Sequence, residues 1–407
     1  VAVKEEMNMS DLLVRGKLKN TYFSYFLMFN FYYSGWALFS VLISIYLIGL
    51  GFSAGQASWI VSISFLASMI FQPLIGSAAD RYGMKRISTI AFCAAAATGL
   101  VFVFCRSFIT IALFYAITMV LLNSTNPIVE KLATTSPFPY GKIRIWGTIG
   151  YALGTQAAGY LYDAISPSAI FIAFVVSILI CIIGTLRIDV DPVEAEEIKE
   201  KDQMTGKEEK TGFRSLLANR KYVYYLVVYA LFTGVTQATH TFVPSMFTYE
   251  GLPASAASTI LSIAVLCELP LVFFSGKFMD RCTSKKLSLI AFSLAMIQLL
   301  IYGLNMPMAA KIGITLMAKH PAGMLVIMIN LKIVSSLVSP KQQISALALA
   351  ATVKNLASIV FNNLAGTMID MEGYALTFLI LAGILAVGML LLVVFRLPEG
   401  TDQHLFS

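Results

Sequence analysis

"GSAADRYGMKRISTIAF", Gly76–Phe92, decides how this chain is built, because it returns 200 residues later as "GKFMDRCTSKKLSLIAF", Gly276–Phe292. Eight of the 17 positions are identical: Gly76/Gly276, Asp80/Asp280, Arg81/Arg281, Lys85/Lys285, Ser88/Ser288, Ile90/Ile290, Ala91/Ala291 and Phe92/Phe292. The same offset aligns "ASWIVSI" from Ala57 with "ASTILSI" from Ala257, and a looser echo joins "AGYLYD" (Ala158–Asp163) to "AGTMID" (Ala365–Asp370). Two apolar runs joined by a basic loop have been made twice. In an apolar chain, such duplication marks folds in which two similar helical bundles move around a central site.

The rest of the chain fits that reading. Of its 407 residues 58% are hydrophobic and only 13% charged, with a mean hydropathy of +0.78, which no soluble core requires. Twelve apolar runs are long enough to cross about 30 Å of hydrocarbon as helix: 21–49, 54–79, 86–105, 108–132, 143–164, 167–186, 222–247, 254–279, 287–305, 309–337, 342–368 and 374–395. Short alternating strands, the mark of a membrane barrel, do not occur in this pattern. The predicted fold is therefore an all-α integral membrane protein of twelve transmembrane helices in two pseudo-symmetric six-helix bundles. Its expected parts are an N-terminal tail (1–20), a first bundle (21–187), a charged linker (188–221), a second bundle (222–396) and a C-terminal tail (397–407).

Orientation follows from the basic residues. The tails and the loops after even-numbered spans hold 25 of the 29 Lys and Arg; the other side has Arg106 and Lys311, and Lys319 and Lys354 fall inside spans. The positive-inside rule then puts both termini in the cytoplasm. No removable signal peptide is expected, so the first span serves as the insertion signal. The net charge of +7 reports topology and contact with anionic lipid; bases dispersed over loops do not make a nucleic-acid surface. Five unpaired-looking cysteines and three scattered histidines indicate no metal site and no catalytic cluster, so neither a cofactor nor an enzyme activity is expected. No phosphate-binding glycine loop with its lysine is present.

An ionisable side chain inside a span costs about 2.5–3.5 kcal/mol on insertion scales, so each is a candidate for function. Here they are Glu130 with Lys131, Arg144, His240, Glu268, Lys319 with His320, and Lys354, with Asp163 and Asp370 near span ends. Arg144 stands two residues before Trp146, on a helix whose Gly147, Gly150 and Gly154 form a stripe for close packing. Its guanidinium could fork onto a hydroxyl pair or carboxylate beside that aromatic ring, or snorkel to the membrane surface. Lys319 and His320 are adjacent, so they diverge by about 100° on a helix, and Pro321 after them removes a backbone hydrogen bond and should loosen the span. In the aromatic-rich first span, Tyr32, Tyr33 and Trp36 could line a cavity or pack against neighbouring helices; Trp36 is taken as a site candidate.

"GSAADRYGMKR" resembles the cytoplasmic loop signature of the major facilitator superfamily, and the weaker "GKFMDRCTSKK" sits where that family repeats it. The resemblance implies a gate: close helix contact at Gly76, an ion pair or helix cap at Asp80, and Arg81, Lys85 and Arg86 holding the cytoplasmic side, with Asp280 and Arg281 as their repeats. "IFQPLIGSAADRYGMKR", "VEK" (Val129–Lys131), "GKIRIWGTIGYAL", "CEL" (Cys267–Leu269) and "VKNLASI" (Val353–Ile359) are similar to the lactose permease branch of oligosaccharide:proton symporters and to its nucleoside and aromatic-acid relatives. That likeness implies that Arg144 binds sugar, Tyr151 stacks on the sugar ring and Glu268 accepts sugar hydroxyls.

The departures from that branch are specific. Where it has a second sugar-binding acid this chain has Asn126, which can hydrogen-bond but not ionise, with Glu130 one turn on as a substitute or as a partner for Lys131. The seventh span lacks the branch's aspartates and offers Gln237 and His240, the latter a ligand or a packed ring, so Lys354 has no evident partner. The tenth span carries no acid after Lys319 and His320. His320 would contact substrate or Glu268, Lys319 would compensate a buried acid, and Glu268 is the best proton carrier, with Lys319, His320, Lys354 and Glu130 as further coupling candidates. The function expected is a secondary transporter in the cytoplasmic membrane, working as a monomer by alternating access on a small hydroxylated solute, an oligosaccharide, in symport with protons. A proton-coupled exporter of amphipathic drugs, or a nucleoside or aromatic-acid transporter, is the alternative within transport; a membrane enzyme or a receptor on the same bundle is the alternative outside it.

Overall fold

The computed structural model describes residues 20–188 and 216–395 apart from 275, 276, 278, 280, 281, 340 and 341; the predicted tails, most of the linker, and Asp280 and Arg281 lie outside the described residues. Helices account for the predicted spans closely, and no strand occurs among the described residues. The first span is Tyr22–Ser40 followed, after a two-residue break, by Ile43–Gly49; spans two to seven are Ala54–Tyr82, Met84–Phe102, Phe108–Thr134, Tyr140–Ala164, Ala169–Leu186 and Arg220–Tyr249. Ser284–Gly303 and Met308–Leu337 are the ninth and tenth. The helix Gln343–Val394 contains both the eleventh and the twelfth, separated at Gly373, whose φ of 79° a residue with a Cβ rarely adopts.

Ten helices are long and apolar enough to cross a membrane among the described residues, the last of them holding two passes. Tyr140–Ala164 is not among the ten; it is long enough, but Lys142, Arg144, its threonines and its glycines dilute its hydropathy. Its glycines explain what it does instead. A Cβ at Gly147 would meet Phe29 and Tyr33, and at Gly150 and Gly154 the main chain of Asn30 and Ser34, so this helix lies backbone to backbone on the first span.

Two span expectations are corrected. The eighth span, expected as continuous over 254–279, is interrupted: Ala254–Leu266 ends, Cys267 and Glu268 form a turn, and Leu269–Phe273 is a separate short helix. Pro270 is the reason, since it has no N–H for the Leu266 carbonyl and is tolerated in the first turn of the new helix. The tenth span, expected to loosen at Pro321, runs unbroken from Met308 to Leu337 with Pro321 buried inside it. Other spans also stay helical through a proline, at the buried Pro244 and at the exposed Pro73 and Pro127.

Each half of the sequence has its own core. Phe29, Phe39, Phe102, Phe171 and Phe174 anchor the first, and Tyr222, Phe232, Phe292, Tyr302 and Phe378 the second. The halves meet where the second span packs on the eleventh and the fifth on the eighth, two contacts related by the internal repeat. Gly159 lies against Ser258 and the Ala254 carbonyl, and Gly366 against Ser58 and the Ala54 carbonyl. Asp163 accepts the Ser255 amide proton at 2.7 Å, and Asp370 accepts those of Ala54 and Gly55, each at 2.8 Å. A carboxylate at the end of one half's helix therefore caps the start of a helix in the other, twice. Asn363 bonds Ser58 and Ser62, and Ser262 donates to the Ala152 carbonyl at 2.8 Å, further down the same seams. These crossing bonds cluster at the end opposite the basic loops.

At the basic end the expected gate has a different form. A Cβ on Gly76 would touch nothing within 4 Å, so close helix contact is not what this glycine provides. Asp80, Arg81 and Arg86 are exposed; Asp80 has no ion-pair partner among the described residues, and Arg81 lies over the neighbouring Tyr82 ring. Lys85 donates to the Ile188 carbonyl at 2.6 Å, and its repeat Lys285 to the Val393 and Phe395 carbonyls at 2.6 and 3.0 Å. Both lysines thus satisfy the carbonyl end of the sixth helix of their own half, a position that favours a cation.

Candidate functional site

Between the halves lies a cavity of about 680 Å³, large enough for a disaccharide-sized solute. The first half contributes Tyr33, Trp36, Asn123, Asn126 and Tyr151, with Ser64, Ser68 and Gln72 from the second span; the second half contributes Gln237, His240, Lys319, His320, Lys354 and Asn355. A side pocket of about 140 Å³ is lined by Tyr33, Arg144, Thr148, Tyr151, Glu268 and His320. All eight residues predicted to bind substrate, Trp36, Asn126, Arg144, Tyr151, Gln237, His240, Glu268 and His320, line one or both.

Glu130 is the hub of the first half's wall. Its carboxylate accepts the hydroxyl protons of Tyr33 and Tyr140, each at 2.6 Å, and lies 3.6 Å from the Arg144 Nε. Asn126 donates to the Tyr33 hydroxyl at 3.1 Å, one helical turn before Glu130. The Arg144 guanidinium stands 5.3 Å from the centre of the Tyr33 ring, a cation–π distance. Arg144 therefore points into the molecule, and Glu130 serves it.

The aromatic beside Arg144 is not the one its spacing suggested. Trp146 turns away: its Nε1–H donates to the Tyr22 hydroxyl at 2.7 Å and its ring meets Phe26 edge-on. Residues two apart on a helix point to different faces, whereas the first span crosses close enough over the glycines to present Tyr33. Tyr33 in turn stacks in parallel with Trp36, three residues on, so the pair makes a flat wall. Tyr32 belongs to the core, fully buried with its hydroxyl on the Leu122 carbonyl.

The second half's wall is built from helix interruptions and bases. Glu268 occupies the turn that Pro270 imposes, with its carboxylate 3.9 Å from the Nδ1 of His320. The His320 ring stands 5.3 Å from that of His240 and 6.4 Å from that of Tyr151. Glu268 is the only carboxylate lining either cavity among the described residues. Lys319 and Lys354 have no hydrogen bond or ion pair among the described residues, so the expected compensation of a buried acid by Lys319 is not made. Sequence reading missed Gln72, Asn123, Thr148 and Asn355; only Asn355, beside Lys354, stood next to a recognised position.

The chain's relatives are transport proteins. The sequence profile described as Major Facilitator Superfamily matches residues 25–331. The maltose permease of Geobacillus stearothermophilus is 26% identical over 391 residues, covering 94% of this chain and 96% of that one. A probable 3-phenylpropionic acid transporter of Escherichia coli (strain K12) is 26% identical over 40% of this chain and 43% of its own length. Among solved structures, a mutant of the nucleoside transporter NupG superposes with a TM-score of 0.81 at 17% identity, covering 92% of this chain and 99% of that one.

Proposed function

The chain belongs to the Major Facilitator Superfamily, a multi-pass membrane transporter of small-molecule solutes rather than an enzyme, and from that premise we propose that it carries a hydroxylated, sugar-like solute by alternating access in symport with protons. One observation carries this reading: Arg144 from the first half and Glu268 from the second face a single pocket with Tyr151 and His320. A guanidinium and a carboxylate on opposite walls suit a solute with both lone pairs and hydroxyl protons to offer, and the Tyr33, Trp36 and Tyr151 rings suit the flat face of a sugar. The permease relative for maltose points the same way.

Each group has a task in this scheme. Glu130, Tyr33 and Tyr140 fix the guanidinium before the solute arrives, which lowers the entropy lost on binding. Glu268, the cavity's sole acid among the described residues, takes the proton, with His320 at 3.9 Å as its exchange partner. Lys319, Lys354 and Gln237 complete the second wall. The basic end faces the cytoplasm by the distribution of Lys and Arg, so the Asp163 and Asp370 contacts seal the outer side, and the solute leaves inward. The two six-helix halves rock about the second–eleventh and fifth–eighth seams, and the chain works as a monomer within the lipid.

Counterflow in proteoliposomes tests this directly. Preloading with maltose or a related disaccharide should drive transient accumulation of labelled external solute without a proton gradient; a panel of disaccharides, nucleosides and aromatic acids that gives none would overturn the reading.

A further inference from the structure

Six lysines lie in the described helices of the second half beyond its first turn, and apart from the exposed Lys286 they divide sharply. Lys285 and Lys332 donate to main-chain carbonyls, the latter to Met279 at 2.6 Å, and Lys311 is ion-paired with Glu250. Lys319 and Lys354 have no acceptor among the described residues, although Lys319 is only 7% exposed. Both line the central cavity, together with His240, Gln237 and Asn355. The nearest acid of that wall, Glu268, is taken by His320. On the facing wall Glu130 is taken by Arg144 and two tyrosines, and Arg144 adds a third cation.

An uncompensated buried ammonium is among the costliest groups a protein can keep, and two on one wall repel each other. A mobile counter-charge removes that cost only while it is bound, which converts the penalty into affinity for an anion. We propose that the second half of the cavity is an anion subsite, in which Lys319 and Lys354 hold a carboxylate of the solute while Gln237, His240 and Asn355 surround it with neutral polar groups. The solute of the preceding section is then an acidic one, a sugar acid or glycoside of uronate type, its ring against Arg144, Glu268 and Tyr151 and its carboxylate on the lysines. This rests on the transport reading and narrows its substrate class.

Matched acid and neutral pairs test it with the purified full-length protein: methyl glucuronide against methyl glucoside, a glucuronate-terminated disaccharide against its neutral parent, and 3-phenylpropionate against 3-phenylpropanol. Thermal shift titrations, at ionic strength held constant with sodium chloride, should give the acids about tenfold or more tighter binding than their neutral twins. Lys319→Gln and Lys354→Gln should each remove most of that preference while leaving the melting temperature unchanged or raised, because a buried unpaired charge is lost. Lys354→Arg, which keeps the charge, should retain it. If the hydroxylated acid and neutral members bind equally and the Lys→Gln variants change nothing, the anion subsite is overturned and the sugar reading stands. If both kinds of acid bind, with or without hydroxyls, and the neutral twins do not, the subsite stands and the sugar reading falls. No shift with any acid, or full competition by chloride, overturns the subsite.

Discussion

The two walls of the cavity, descended from one repeated unit, have solved the burial of polar groups in opposite ways. The first half's wall is closed on itself: Glu130, Arg144, Tyr33, Tyr140 and Asn126 satisfy one another before any solute is present. The second half's wall is left open, with one carboxylate beside a histidine and two ammonium groups that have no acceptor among the described residues. A self-satisfied network fixes geometry, and an unsatisfied one stores a demand for a ligand. In the proposed scheme the first wall would then recognise shape and the second exchange charge.

The sharpest way to break that division is Glu268→Gln. The amide keeps hydrogen-bonding capacity but cannot ionise, so solute-driven alkalinisation of the medium should vanish while counterflow persists; a pH signal that survives would move the proton elsewhere. Next in size is Arg144→Lys on the closed wall. An ammonium cannot reproduce the fork, and Glu130 loses its partner, so affinity measured by counterflow competition should fall by about two orders of magnitude. Near-normal binding would remove Arg144 from the solute. Glu130→Gln leaves the guanidinium in place but less firmly aimed, and should cost about tenfold in affinity with proton coupling intact. If it abolished coupling instead, the closed wall would be sharing the second wall's task.

The smallest effect concerns the seams rather than the walls. Asp370 accepts two main-chain amide protons and Asp163 one. Asp370→Asn should therefore raise the labelling rate of a cysteine at Ser64, in a background without native cysteines, by roughly fivefold from the outer side, and Asp163→Asn by less. Equal effects would mean that the two seams open together whatever their bonds.

Much of this architecture could be read without coordinates, because membrane spans announce themselves by length and hydropathy and the repeat supplied its own alignment. The break at Glu268 was legible in principle, since Pro270 lies two residues on, yet Pro321 in a similar apolar setting breaks nothing. Local sequence states what proline removes, but not whether the helix continues: it does so at the exposed Pro73 and Pro127 as well as at the buried Pro244 and Pro321. Convergence of Arg144 and Glu268 on one pocket was expected from the family resemblance rather than from any spacing rule. Trp146 was misplaced as the partner of Arg144 because the true ring, Tyr33, reaches it across a seam of glycines, from a helix more than a hundred residues away. Asp163 and Asp370 were visible as an echo, but what a side chain meets some 300 residues away has no local signature.

The latches at positions 163 and 370 pair a side chain on one member with bare peptide on the other. Mutation can therefore discard the acceptor in a single step, whereas only proline removes the donor N–H, although a Cβ at Gly55 would stand 2.8 Å from the Asp370 Oδ2. Variation in how tightly different descendants of this design stay shut should accordingly accumulate at the two aspartates, while Gly55 stays fixed by the carboxylate that grips it.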